Sequence, residues 1–463
     1  MLLPLDDNAG TPLYEQLYRV LKSWIVNEAE AGERLPSVRA LAKENRLSRT
    51  TVESAYAQLY AEGYIQSRPR SGYYVAEDLL SVHSPHSLPS DSPEPRSGAG
   101  SESCYDFCPA RLSREIFPMK LWRRLTLQAL QEDLDMGAYP EGQGESGLRR
   151  ALADYLNRIR GTRCRPDQIV LCAGFSEAVS LAAALIDLLP RTLAIEYPGY
   201  RLTEQIFTEH GYDIKWVGVG ARGIDLEALE STSARVLYTT PSRQYPTGVT
   251  LPIAKRQALL EWAERNSAYL LEDDYDSELN YLHRPIPAMQ GLDRGGRVLY
   301  LGTFSKSLSP ALRVAYLVLP DALLERYRSL SRSHFAQVSL PLQKTLELFI
   351  TGGHWERHLR RVRTLNRRRH DRMLKALQRE LGDEIEILSS GGGLAIPVRP
   401  RVAIDLVKLR EVAATKGLRL YLASDFYGKD WEALRMGFGG LSEEQIDAGV
   451  AELAKLWREL RER

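Results

Sequence analysis

One lysine, Lys306, sits in the stretch YLGTFSKSLSPALRVAYLVLP (300–320), among hydroxyl residues and between two apolar runs that read as buried strands. Burial disfavours the charged form of a lysine, so an amine at the end of a buried strand must be paired or used covalently. One covalent use is a Schiff base with an aldehyde cofactor. Upstream, YLLEDDYDSELNY ends an apolar run with Glu272, Asp273, Asp274 and Tyr275. A carboxylate there can keep a pyridine nitrogen protonated, and a phenol can hydrogen-bond an oxygen on the same ring. Further upstream, CAGFSEAVSLAAAL reads as strand, glycine turn and helix start, where unpaired backbone N–H groups receive a phosphate. Ser305 and Arg313 flank the lysine and add a hydroxyl and a fork of donors for that phosphate. Taken singly, these features also describe a surface lysine on a snorkelling stem, a solvated or metal-binding acidic loop, and an ordinary turn. Together they describe one ligand with an aromatic aldehyde, a pyridine nitrogen, a phenolic oxygen and a phosphate, which is pyridoxal 5'-phosphate.

The elements that must position these residues follow from the pattern around them. From about 121 to 320, the apolar runs QIVLCA, TLAIE, IKWVGV, RVLYTT, YLLED, VLYLGT and VAYLVLP alternate with amphipathic helices. That alternation predicts an α/β large domain with a mostly parallel sheet, with chemistry at the carboxyl ends of its strands. Residues from about 321 to 463 read as a smaller α/β subdomain, joined by 104–120. Residues 76–103 are rich in Ser, Pro and Gly without apolar periodicity, the composition of a flexible linker.

The first 75 residues form a different module. Leu13, Leu17, Val20, Leu21, Trp24 and Ile25 recur at helical spacing. A second helix is expected from LPSVRALAKEN, with Pro36 in its first turn. Ser48 caps a third, whose inner face is Val52, Ala55, Tyr56 and Leu59 and which ends at Gly63. YIQSRPRSGYYV then reads as two short strands about a turn. Three helices and a β-ribbon make a winged helix-turn-helix. Arg34, Arg39 and Arg49, with Arg68 and Arg70 in the wing, lie off the apolar stripe, and Thr50 and Thr51 open the third helix. The start of a recognition helix reaches base edges while other basic groups hold phosphates, so double-stranded DNA is the expected partner.

Two resemblances extend this reading. Over nearly all of 104–463 the chain resembles the fold type I aminotransferases, through AYPEGQGESGLRRALADYL, EYPGY, TTPSRQYPTGV, LLEDDYDSEL, GTFSKSLSPALRVAY and LRMGFGGL in that family's order. The resemblance implies that Lys306 is the Schiff-base lysine, Asp273 the partner of the pyridine nitrogen and Tyr275 the partner of the ring oxygen. It places the backbone amides of Phe175 and Ser176 on the phosphate with Ser305 and Arg313, and Tyr200 against the ring. Tyr139 would reach a cofactor, usually the neighbouring subunit's. Arg435 matches the arginine that forks onto a substrate carboxylate, and Arg201 is a further candidate for an amino ligand. The family's usual Asn-Pro-Thr-Gly reads YPTG here, so Tyr245 replaces the asparagine at the ring oxygen and Gln244 is the candidate stand-in. This departure counts against full transaminase turnover. It leaves cofactor binding, which rests on Lys306 and Asp273.

The segment LPSVRALAKENRLSRTTVESAYAQLYAEGYIQSRPRSGYYV resembles the GntR family. By that likeness Arg39, Arg49, Thr50 and Thr51 contact DNA, with Ser71 and Gly72 at the wing tip. The whole chain is similar to the MocR-type transcriptional regulators, which implies a homodimer, head-to-tail, with two DNA half-sites.

A net charge of +1 over 463 residues gives no overall pull toward nucleic acid, so DNA affinity must come from the local patch. MLLPLDDNAG is no secretory signal, and AVSLAAALIDLLP is broken by Asp187 and Pro190, so a cytoplasmic protein without a membrane span is expected. The four cysteines, Cys104, Cys108, Cys164 and Cys172, read as reduced thiols rather than a metal site. The arginine-rich run 355–370 reads as a solvated face. The expected function is a DNA-binding regulator carrying pyridoxal 5'-phosphate on Lys306 and sensing an amino compound or the cofactor itself. The alternative is an active aminotransferase with an accessory DNA-binding module, marked by steady keto-acid production.

Overall fold

Helical spacing of apolar residues builds the N-terminal module. In the computed structural model, which describes residues 4–5, 10–68, 71–76, 105–132, 134–282, 286–331, 338–427 and 431–461, α1 (Leu13–Asn27) buries Leu17, Leu21 and Ile25. Helix α2 (Val38–Glu44) is capped by Ser37, whose side chain accepts the Ala40 N–H, so Pro36 precedes the cap instead of occupying the first turn. The serine can satisfy a free N–H that proline cannot. Helix α3 (Arg49–Ala61) starts at the Ser48 cap and buries Val52, Ala55, Tyr56 and Leu59 against the same core. Strands β1 (Ile65–Arg68) and β2 (Gly72–Val75) pair antiparallel, with Arg68 opposite Gly72. Arg70, Cys104 and the expected linker from 77 onward lie outside the described residues.

The chain divides into two units, Met1–Ala99 and Gly100–Arg463. The second begins with β3 (Tyr105–Asp106). Its central sheet contains β4 (Ile169–Cys172), β5 (Thr192–Tyr197), β6 (Asp213–Gly220), β7 (Gly223–Ile224), β8 (Val236–Thr239), β9 (Tyr269–Asp273), β10 (Val298–Thr303) and β11 (Ala315–Val318). The order is β4-β11-β10-β9-β8-β5-β6-β7. The pairs from β10 through β6 are parallel, and β11 runs antiparallel to both of its neighbours. Each apolar run read from the sequence is one of these strands. All but β6 are buried on both faces, as strands between helical layers must be, whereas β6 is largely open toward the β7 edge.

A smaller antiparallel sheet contains β12 (Ile385–Ile387), β13 (Ala395–Pro400) and, after β14 (Leu418–Arg419), β15 (Leu434–Gly437), in the order β12-β13-β15. Strand β14 pairs with β3, and Phe107 is fully buried in this subdomain's core beside Ile396, Met436 and Trp457.

The arginine-rich run belongs to the 27-residue helix His354–Glu380. It is not simply a solvated face: Arg361, Arg363 and Arg369 donate to the carbonyls of Glu115, Glu278 and Gly439, and Arg368 pairs with Glu443. These arginines brace the helix against neighbouring segments. No helix among the described residues is long and apolar enough to cross a membrane.

Candidate cofactor site and nucleic-acid interface

The carboxyl ends of β4, β8, β9 and β10, with the loop after β5, surround a cavity of about 210 Å³. Its walls include Phe175, Tyr200, Tyr245, Asp273, Tyr275, Ser305, Lys306 and Arg313. Strand alternation decides which carboxylate of the EDD run faces it. Glu272 and Asp274 project away and are satisfied by protein. Glu272 accepts the N–H groups of Met289 and Gln290, and Asp274 accepts from Arg160, Tyr300 and Ser277. Asp273 faces the cavity. Its Oδ2 accepts from the Tyr238 hydroxyl at 2.6 Å, while its buried Oδ1 has no hydrogen-bond partner. Burial, the largest influence, pushes its carboxyl up to about 7.

Lys306 lies beyond the end of β10 in a tight loop. Ser305 N–H donates to Thr303 Oγ1 at 3.1 Å, and the Leu308 N–H closes onto the Phe304 carbonyl at 2.9 Å. Burial holds the amine below the ordinary lysine value, and Arg435 acts in the same direction. Desolvation by burial also raises the Tyr275 hydroxyl well above the usual phenol range.

Opposite, the helix Phe175–Leu185 begins at Gly174 with φ +94° and ψ −176°, a conformation essentially restricted to glycine. A Cβ at Gly174 would lie 2.6 Å from Nη2 of Arg313, so this glycine lets the guanidinium approach the helix start. Arg313 is itself left-handed, with φ +52° and ψ +48°. The first-turn N–H groups of Phe175 and Ser176 have no acceptor within the helix. The rings of Phe175, Tyr200, Tyr245 and Tyr275 form a chain of edge-on contacts at 5.2, 5.3 and 5.4 Å.

A second, smaller cavity shares Lys306, Tyr245 and Tyr275 with the first and is also lined by Arg435, Arg243 and Asp276. Arg435 on β15 donates to the Tyr245 hydroxyl at 2.8 Å, with its guanidinium 4.9 Å from the centre of that ring. Gln244 cannot stand in at the cavity: its amide donates to the carbonyls of Pro198 and Tyr245 and accepts from Thr247, which uses it to hold its own loop.

Two expected site residues lie away from these cavities in this chain. Arg201 heads the helix Arg201–Glu209 with its side chain 49% exposed and paired to Glu204. Tyr139 is 78% exposed. Sequence reasoning passed over Tyr238, although its place in RVLYTT, an alternate position on β8, was the available signal. It also missed Arg243 and Asp276, which lie inside quoted motifs. Among the described residues, no group of three or more His, Cys, Asp or Glu side chains could hold a metal. Cys108, Cys164 and Cys172 are free thiols.

In the N-terminal module, Arg39, Arg49 and Thr50 are exposed. The hydroxyls of Thr50 and Thr51 lie 2.8 and 2.7 Å from Ser48 Oγ, which fixes the start of α3. Arg34 has a bracing contact, donating to the Ser71 carbonyl at 2.7 Å beside Gly72. Arg68 lies 4.5 Å over the Tyr74 ring, and the Ser71 hydroxyl is 2.5 Å from that of Tyr74. The wing tip is thereby tied to both the strand pair and the segment before α2.

Comparison with known proteins agrees with this division. Residues 112–453 match the family model for aminotransferase class I and II, and residues 13–75 match that for bacterial regulatory proteins of the gntR family. The chain is 36% identical over 463 residues to the uncharacterized HTH-type transcriptional regulator YhdI of Bacillus subtilis strain 168, covering 98% of each chain. It is 31% identical over 473 residues to the probable rhizopine catabolism regulatory protein MocR of Rhizobium meliloti, covering 98% of this chain and 95% of that one. Among solved structures it is similar to LysN, the alpha-aminoadipate aminotransferase of Thermus thermophilus complexed with N-(5'-phosphopyridoxyl)-L-leucine. That match has a TM-score of 0.69 and 27% identity, over 77% of this chain and 92% of that one.

Proposed function

The chain belongs to the MocR-type transcriptional regulators, with a gntR-family DNA-binding module before an aminotransferase class I and II domain, and from that premise we propose that it carries pyridoxal 5'-phosphate at Lys306 and changes its hold on operator DNA when a small amino compound binds beside it. The observation that carries this reading is the unpaired, buried Oδ1 of Asp273 on a cavity that also presents Lys306 and Arg313. A buried carboxylate oxygen without a donor costs about 1–3 kcal/mol, which a protonated ring nitrogen would offset.

The residues fit the cofactor. Asp273 would hold the ring nitrogen's proton and Tyr275 the ring oxygen, with Tyr200 packed against the ring. The amides of Phe175 and Ser176, the Ser305 hydroxyl and the Arg313 guanidinium would hold the phosphate, in the space that Gly174 leaves open. When bound, pyridoxal 5'-phosphate supplies an aldehyde that condenses reversibly with primary amines. The desolvated Lys306 amine keeps a larger neutral, nucleophilic fraction than an exposed lysine would. In a head-to-tail homodimer, the exposed Tyr139 would be available to the partner's site.

Arg435 would take the carboxylate of an amino effector. Its Nη1 is already engaged with the Tyr245 hydroxyl, so a docking carboxylate would share or replace that contact. Tyr245 in turn touches Tyr200 and Tyr275. Effector binding therefore has a contact difference through which to shift a conformational equilibrium, as a regulator requires and turnover does not.

The test is operator binding by the cofactor-loaded protein, measured by fluorescence anisotropy at fixed salt against a panel of amino acids. At least one amine is expected to change operator affinity. Arg435→Ala should raise the concentration needed roughly tenfold, since the loss of about 1.4 kcal/mol reflects exchange of a hydroxyl partner for a carboxylate. An identical amine response in Arg435→Ala would remove Arg435 from the site.

A further inference from the structure

Resting on the reading above, we propose that Asp276 and Arg243 form a distal subsite that selects amino effectors ending in a neutral carboxamide, the asparagine and glutamine class. The two side chains line the smaller cavity beyond Lys306, and no other acidic residue is among its described lining residues. Asp276 is 5% exposed, and its Oδ1 has no hydrogen-bond partner. Its Oδ2 lies 3.6 Å from Nε of Arg243, an ion pair too long for a hydrogen bond. Arg243 has a side chain 15% exposed and makes no hydrogen bond among the described residues. A buried charged pair this loosely satisfied leaves both an acceptor and guanidinium donors for something else.

The backbone makes room for the pair. A Cβ at Gly392 would stand 2.8 Å from Nη1 of Arg243, and one at Gly393, whose φ is +69°, would stand 3.2 Å from both Arg243 Nε and Asp276 Oδ2. The glycine turn thus leaves the space that a larger residue would fill. The cavity measures about 30 Å³, enough for a terminal group rather than a bulky chain.

Charge selects the terminal group. Arg435 is committed to the effector's α-carboxylate, and the Asp276 and Arg243 pair is neutral as a whole. A second carboxylate on the effector would meet Asp276, and a terminal ammonium would meet Arg243. A carboxamide instead donates N–H to Asp276 Oδ1 and accepts from the Arg243 guanidinium, so neither buried group is left unpaired. An apolar isostere would leave both as they are. Hydrogen-bonding sites of this kind reject analogues that lack the matching groups.

The experiment uses the full chain loaded with pyridoxal 5'-phosphate, titrated with glutamine, glutamate, asparagine, aspartate, lysine and norleucine. The readouts are the cofactor's near-visible absorbance and the melting temperature. Glutamine or asparagine should act at a concentration roughly tenfold lower than its acid counterpart, lysine or norleucine, the scale expected for one satisfied charged hydrogen-bond pair. Asp276→Asn should shift the preference toward the acid by removing the like charge and leaving the Arg243 cation, whereas Arg243→Met, which leaves Asp276 without its cation, should keep or widen the preference for the amide over the acid while weakening both. If amines change the absorbance with no preference for the amide, the subsite is wrong and the sensing reading stands. If no amine changes it while the cofactor band is present, the sensing reading fails and the subsite with it.

Discussion

Arg49→Ala is expected to weaken operator binding by roughly 10- to 100-fold while leaving cofactor absorbance unchanged, the effect of removing about 1–3 kcal/mol of base contact. Arg49 is the first residue of α3, follows the Ser48 cap and is exposed. The first turn of the second helix in such a motif points into the major groove, and Arg49 occupies the position from which a base-reading side chain is expected. The substitution leaves untouched the buried face of Val52, Ala55, Tyr56 and Leu59 that holds the helix in place. Folding should therefore survive, with an unchanged melting temperature as the control. Arg39→Ala gives the contrast: as a phosphate contact, it should weaken all DNA sequences alike and lessen the salt dependence. Anisotropy titrations on operator and scrambled duplexes at two salt concentrations separate the two. Unchanged operator affinity in Arg49→Ala would remove α3 as the recognition helix.

Asp273→Asn should lower affinity for pyridoxal 5'-phosphate by roughly 10- to 100-fold, since a hydrogen bond to a charged group contributes about 1.5–3 kcal/mol. The amide can keep a contact with the Tyr238 hydroxyl, and its volume is unchanged, so packing is preserved. What it loses is the negative charge that holds a ring proton. Stability without the cofactor should respond in the opposite sense. Burial raises the Asp273 carboxyl to about 7 in the folded chain, above the ordinary aspartate value. Between those two values the folded state holds a proton that the unfolded state has released, so this group's contribution falls as pH rises and levels off above about 7. The cofactor-free wild type should lose melting temperature relative to Asp273→Asn between pH 5 and pH 7.5. The other raised carboxyls, Glu177, Glu196, Glu272, Asp276 and Glu278, are common to both proteins and cancel in the comparison. A difference between the two proteins that does not change with pH would contradict the buried-carboxyl account.

Much of this was legible because it depends on local pattern. Short continuous apolar runs marked the strands of the large sheet, period-3.6 spacing marked the inner face of α3, and the hydroxyl-rich loop marked Lys306. The EDD run could be located but not resolved by composition; strand alternation, visible once β9 is paired with β8 and β10, turns Asp273 alone toward the cavity. Long-range arrangement was less legible. Arg243 and Asp276 come from separate loops and meet beside Gly392 and Gly393, a juxtaposition that no local pattern marks. Gln244 looked available because its bonds to Pro198 and Thr247 depend on the path of that loop. The arginines of the helix His354–Glu380 looked solvated because the carbonyls they bind belong to distant segments.

The most direct measurement is the absorption spectrum of the full chain after incubation with pyridoxal 5'-phosphate, followed by borohydride reduction and peptide mapping. A visible-region band that borohydride removes is expected, with the phosphopyridoxyl label on the peptide containing Lys306. No band, or a label on a different lysine, would contradict it.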